Sequence, residues 1–155
     1  FNHLGFDEHI PTAGNQDGMR KLLAALKKNI NGFYFINLID FDMLYGHRRD
    51  LLGYAGALGA FDMQLGKLLK QLKEDDLLII TADHGNDPTY IGTDHTREKI
   101  PILSFQKSLA GGKEIGEVQG FFHISATIFQ FLTEQPYSMG HSFIEEDRSG
   151  RNECN

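Results

Sequence analysis

The 155-residue chain is poor in cysteine, tryptophan and proline, with one Cys, no Trp and four Pro. Its one cysteine, Cys154, stands next to the last residue, so these residues can build neither a disulfide framework nor a cysteine-based zinc site. A reducing, cytoplasmic setting is expected from that scarcity. No apolar run approaches the roughly 18 residues that a membrane-crossing helix needs, so no membrane partner is expected. Positive charge is also short. Fifteen Lys and Arg face 21 Asp and Glu, for a net charge of −6. That balance argues against a broad basic face of the kind that binds nucleic acid. What remains is 41% hydrophobic and 23% charged, an ordinary globular composition at a length that buries roughly two thirds of the unfolded surface.

The hydrophobic pattern predicts a series of short elements. Asp17 is a candidate N-cap for a helix over Gly18 to Ile30, whose Met19, Leu22, Leu23, Leu26 and Ile30 fall at helical spacing. Phe33 to Ile39 is a short apolar and aromatic run that reads as a buried strand. A long helix is expected over Asp50 to Lys73, with Leu51, Tyr54, Leu58, Phe61, Leu65, Leu68 and Leu72 along one stripe. Leu77 to Thr81 and Ile100 to Phe105 read as two further strands, and Phe121 to Leu132 as a closing helix. Leu109 to Gly120, with four glycines, reads as a surface loop. Continuous apolar strands interleaved with helices imply an α/β fold with a mostly parallel sheet flanked by helices. The expected organisation is a lead-in over residues 1–16, a core over 17–144 and a polar tail over 145–155. The opening at Phe1 carries no secretory-signal pattern, and the expectation is a portion of a longer polypeptide.

Ligands of such sheets gather beyond the carboxyl ends of the strands, and polar residues are concentrated there. Asp40-Phe-Asp-Met-Leu-Tyr-Gly-His-Arg-Arg-Asp50 follows the first predicted strand, Thr81-Ala-Asp-His-Gly-Asn-Asp87 follows the second, and Thr93-Asp-His-Thr-Arg-Glu98 lies shortly beyond. Aspartate oxygen with histidine nitrogen suits Mn²⁺, Zn²⁺, Fe²⁺ or, less well, Mg²⁺, and a cation among several carboxylates relieves their mutual repulsion. Asp83 and His84 beside a buried strand, with His95 eleven residues on, point to metal binding. Asp87 and Asp94 read as turn formers, and His3, His9 and His141 as ordinary polar residues. Arg48, Arg49 and Arg97 are candidates for gripping a phosphate through bidentate hydrogen bonds, with at least one expected to pair with a carboxylate instead.

The Asp40 to Asp50 run, Thr81 to Thr89 and Gly92-Thr-Asp-His-Thr-Arg-Glu98 closely resemble the phosphopentomutase family of the alkaline phosphatase superfamily, over roughly Asp17 to Leu132. The resemblance implies an alkaline-phosphatase-like core, of which this chain would be the C-terminal portion. It implies two divalent ions, Mn²⁺ foremost: Asp42, His47 and His95 match the protein ligands of one, and Asp83 and His84 match two ligands of the other. It also implies an intramolecular phosphotransferase that interconverts ribose or deoxyribose 1-phosphate and the 5-phosphate through a phosphothreonine. That threonine nucleophile, a further aspartate ligand and a substrate-covering cap have no counterpart here, so no catalytic nucleophile is assigned and the missing N-terminal half and cap become expected partners. Arg48 and Arg97 remain the phosphate-binding candidates. His123 stands where family members carry Asp, and the tail after Phe143 is unlike a family ending. A phosphohydrolase of the same superfamily and a non-catalytic metal-binding remnant are the alternatives.

Overall fold

A computed structural model describes residues 4–109 and 111–144. His3 and the polar tail over 145–155 lie outside the described residues. Helix α1 spans Asn15–Leu26, a π-helical turn spans Phe41–Gly46, helix α2 spans Leu51–Gln71, strands β1 and β2 span Leu78–Thr81 and Ile102–Phe105, and helix α3 spans Phe122–Thr133. The chain divides into two compact units. One takes in the residues up to Lys73 with Ile79–Leu103, the other Glu74–Leu78 with Ser104 onward. No helix among the described residues is long and apolar enough to cross a membrane.

In the first unit, α1 packs against α2 and α2 against the π-helical turn. Met19 and Ala25 of α1, with Leu68 and Leu72, are its buried apolar residues. The predicted apolar stripe of α2 is thus buried only toward its C-terminal end, and Leu51 and Leu58 are exposed. Phe41 closes the other end, its ring 5.5 Å from that of Tyr54 and 6.4 Å from that of Phe61.

Helix α1 begins and ends earlier than its periodicity predicts, for two local reasons. Asp17 is not the N-cap. Its carboxylate accepts the Ala13 N–H from within the first turn and pairs with Lys21 at 2.6 Å and with Arg20. The cap comes from far along the chain: Asp40 Oδ2 accepts the Asn15 N–H at 2.7 Å, and the Asp40 N–H returns a 3.0 Å bond to Asn15 Oδ1. Gly14 adopts φ 133° there, and a Cβ on it would lie 2.8 Å from Asp40 Oδ2. At the other end Asn29 takes the left-handed conformation, φ 57°, which stops the helix at Leu26 and leaves Ile30 exposed.

The sheet differs from expectation. Among the described residues it has two strands, β1 and β2, running antiparallel, with an antiparallel bridge between Gly85 and Thr96 beyond them. A parallel return requires a crossover, usually a helix, and residues 82–101 contain none, so the chain folds straight back. Phe33 to Ile39 forms no ladder and is not the buried strand predicted. Ile36 and Leu38 lean on α1, where a Cβ at Gly18 would meet their side chains at 3.2 and 3.7 Å. Phe33, Phe35 and Ile39 are exposed. Burial alternates only from Phe35 to Ile39, and apolar composition alone does not supply the backbone partners that make a strand.

In the second unit, α3 buries Ala126 and Thr127. The Thr127 hydroxyl donates to the His123 carbonyl at 2.8 Å and accepts the Phe143 N–H at 3.1 Å, which fixes the segment that follows the helix. Residues 111–120 form no helix or strand.

Candidate metal centre

Three side chains converge in the first unit. Asp42, His47 and His95 each present a ligand atom, and these atoms lie within 4.8 Å of one another. His95 Nε2 is 3.1 Å from His47 Nε2 and 3.3 Å from Asp42 Oδ1, while His47 Nε2 is 3.4 Å from Asp42 Oδ2. The two imidazoles tilt across each other with centroids 4.7 Å apart.

The π-helical turn is what brings Asp42 and His47 together. On an α-helix, residues five apart point about 140° from one another. Here the His47 N–H bonds the Asp42 carbonyl at 3.0 Å and the Asp50 N–H bonds that of Tyr45 at 3.0 Å, the i→i+5 pattern of a π-helix. The wider turn stacks residue five over residue zero. Asp50 then starts α2, its Oδ1 accepting the Gly53 N–H at 2.8 Å.

His95 arrives from the returning segment. The Thr96 N–H bonds the Gly85 carbonyl at 3.1 Å, and the Thr96 hydroxyl accepts the Asp87 N–H at 2.6 Å and donates to Glu98. Gly85 permits this closeness, because a Cβ there would come within 2.8 Å of the Thr96 carbonyl oxygen. Asp87, read from sequence as a turn former, is one. Its carboxylate accepts the Thr89 hydroxyl at 2.7 Å and the Thr89 N–H at 2.8 Å. Those bonds, with the nearby Arg49 charge, hold the Asp87 carboxyl below its ordinary pKa.

The donor chemistry fits a cation. His47 Nδ1 bonds the Thr93 carbonyl oxygen, which can only accept, so Nδ1 carries a proton and in the neutral ring Nε2 offers its lone pair on the side of Asp42 and His95. A carbonyl on the far nitrogen is the usual way in which a metal-binding histidine is oriented. His84 Nδ1 likewise bonds the Gly85 carbonyl, at 3.2 Å, and its ring stacks on that of His95 with centroids 3.7 Å apart. Asp83 Oδ2 lies 3.7 Å from His84 Nε2, and the Asp83 side chain is 81% exposed. Asp83 and His84 thus adjoin the cluster as a two-residue pair, without a third His, Cys, Asp or Glu closing a group among the described residues.

Arg48 and Arg97 are exposed and make no hydrogen bond or ion pair among the described residues. Arg49 has four of its five N–H donors committed, none of them to a carboxylate. Its guanidinium is spent on the carbonyls of Gly92, Asp87 and Asp94 and on Asn86 Oδ1. The reading from sequence missed Asn86, whose Nδ2 donates to Asp42 Oδ1 at 2.6 Å. It also missed Gly46, where a Cβ would stand 2.5 Å from that nitrogen. Neither is one of the acid or imidazole donors that mark the site in sequence, so only contact reveals them. Residues 7–136, most of the chain, match the family model of the Metalloenzyme superfamily.

Proposed function

The chain belongs to the Metalloenzyme superfamily, and from that premise we propose that Asp42, His47 and His95 hold a divalent cation that serves phosphoryl transfer on a pentose phosphate. The observation that carries this reading is the three-donor cluster: one carboxylate and two imidazole nitrogens, gathered from the π-helical turn and the loop after β1. Asp83 and His84 would give two ligands to a second ion beside the first, and Mn²⁺ suits this mixture of oxygen and nitrogen. Such ions, when bound, stabilise charge on phosphoryl oxygens and make an oxygen nucleophile available near neutral pH.

The roles of this chain's own residues follow from their placement. Asp42 brings negative charge to the cation, and His47 is held in the right tautomer by the Thr93 carbonyl. Arg48 and Arg97, exposed and unspent, would grip the substrate phosphate through their planar donors. The motifs resemble the phosphopentomutase family, and interconversion of ribose or deoxyribose 1-phosphate and 5-phosphate is the activity they favour. Because a threonine nucleophile has no counterpart in these residues, the chain by itself is expected to bind metal without turnover. One observation favours a second reading, transfer to water: Asp83, one of the two residues that would hold the second ion, is largely open to solvent.

Substituting His47→Ala and measuring bound Mn²⁺ by elemental analysis after dialysis tests the proposal. Substantial loss of metal is expected, and undiminished content would overturn it. Supplying ribose 1-phosphate with Mn²⁺ tests the rest of the reading: no conversion by this chain alone is expected, whereas appearance of the 5-phosphate would mark a mutase that needs no further residues and release of inorganic phosphate would mark a hydrolase.

A further inference from the structure

We propose that Arg49 is a positioning residue that orients all three ligands of the metal cluster at once; the proposal rests on the metal reading above. Arg49 ends the π-helical turn in the left-handed conformation, φ 54°, which a non-glycine residue adopts only when its surroundings hold it there. Its backbone N–H bonds the Gly46 carbonyl at 3.1 Å, and its side chain ties it to the segment after β1. Nη1 donates to Asn86 Oδ1 and to the Asp87 carbonyl, both at 2.7 Å, Nη2 donates to the Asp94 carbonyl at 2.6 Å, and Nε donates to the Gly92 carbonyl. Four acceptors spread over residues 86–94 are thus tied to one rigid fork.

Each tie leads to a ligand. Asn86, its oxygen taken by Arg49, turns its amide nitrogen to Asp42 Oδ1. The Gly92 and Asp94 carbonyls flank the Thr93 carbonyl that fixes the His47 tautomer. His95 is the residue directly after Asp94, so its backbone is anchored by the same bond. None of the four acceptors is a carboxylate, and the guanidinium can therefore order the loop without drawing Asp42 away from a cation.

Lysine keeps the charge but offers one small ammonium in place of the fork, so Arg49→Lys cannot serve acceptors this widely spaced. Arg49→Asn removes the ties with a residue that tolerates the left-handed conformation, and Asn86→Ala cuts only the branch to Asp42. The test is a Co²⁺ titration of the full chain, read by visible absorption for both affinity and band pattern, beside circular dichroism for the fold. Arg49→Lys and Arg49→Asn are expected to bind about 10- to 100-fold more weakly, with shifted absorption bands and an unchanged fold. Asn86→Ala is expected to lose less. A merely structural role would leave the band pattern of the bound ion untouched. Original affinity and spectrum in Arg49→Lys would overturn the clamp, and should both Arg49 variants fail to fold, the same result in Asn86→Ala would overturn it. Failure of the unsubstituted chain to bind Co²⁺ would overturn the metal centre itself, a result distinguishable from either.

Discussion

Adding one methyl group at Gly46 should do more harm than its size suggests. The new Cβ would lie 2.5 Å from Asn86 Nδ2, 2.7 Å from Asn86 Cγ and 3.0 Å from the Phe41 carbonyl oxygen. The carbonyl belongs to the π-helical turn and cannot retreat, so Asn86 must. Its retreat breaks the 2.6 Å bond to Asp42 and the 2.7 Å bond from Arg49. Hydrogen bonds to charged groups contribute about 1.5–3 kcal/mol each when well buried, and these are half-buried, so about 2 kcal/mol for the pair is a fair figure. Residual crowding adds about 1–3 kcal/mol. The backbone entropy recovered on replacing glycine offsets up to about 1 kcal/mol. Gly46→Ala should therefore lower stability by about 2–5 kcal/mol. Gly56→Ala is the internal control: nothing lies within 4 Å of a Cβ there, inside α2, so the same substitution should raise stability by about 0.5–1 kcal/mol. Urea unfolding followed by circular dichroism in metal-free buffer measures both. A Gly46→Ala midpoint at or above that of the parent would refute the reasoning.

Two further outcomes can be checked in the same way. Thr127→Val keeps the shape of a fully buried side chain but leaves the Phe143 N–H without its acceptor, and should cost about 1–2 kcal/mol in urea unfolding; a stability equal to the parent's would show that this bond contributes nothing. Asp17, whose carboxyl lies well below its ordinary pKa through bonds to Lys21, the Ala13 N–H and Arg20, stabilises the folded chain fully above the unfolded-state value of about 3.9, and that contribution fades as pH falls through the lower folded value. Asp17→Asn should accordingly lower the thermal midpoint at neutral pH, with the gap closing in strong acid, and a gap independent of pH would contradict the assignment.

Much of the site was legible as residue types. Oxygen and nitrogen donors after apolar runs pointed to Asp83, His84 and His95, the family resemblance added Asp42 and His47, and the structure brings the imidazoles of His47 and His95 within 3.1 Å. The helices were legible in the same way, through periodicity, although a cap donated by Asp40 and a left-handed Asn29 moved both ends of α1. Arg49 shows the limit. Three arginines with equal chemistry stood near the site, and nothing in their order separates the one spent on Gly92, Asp87, Asp94 and Asn86 from the two that stay exposed.

Composition and spacing by themselves determined which side chains can ligate, which segments are apolar and where helices fall, because those properties belong to residues and their near neighbours. Tertiary structure alone decided that five-residue spacing becomes adjacency through a π-helical turn, that the strand after Thr81 returns antiparallel, and that Phe33 to Ile39 joins no ladder among the described residues. The turn rests on backbone bonds five residues apart that residue type does not announce, and the other two outcomes depend on a hydrogen-bond partner from a distant part of the chain, whose presence is not a property of the segment that needs it.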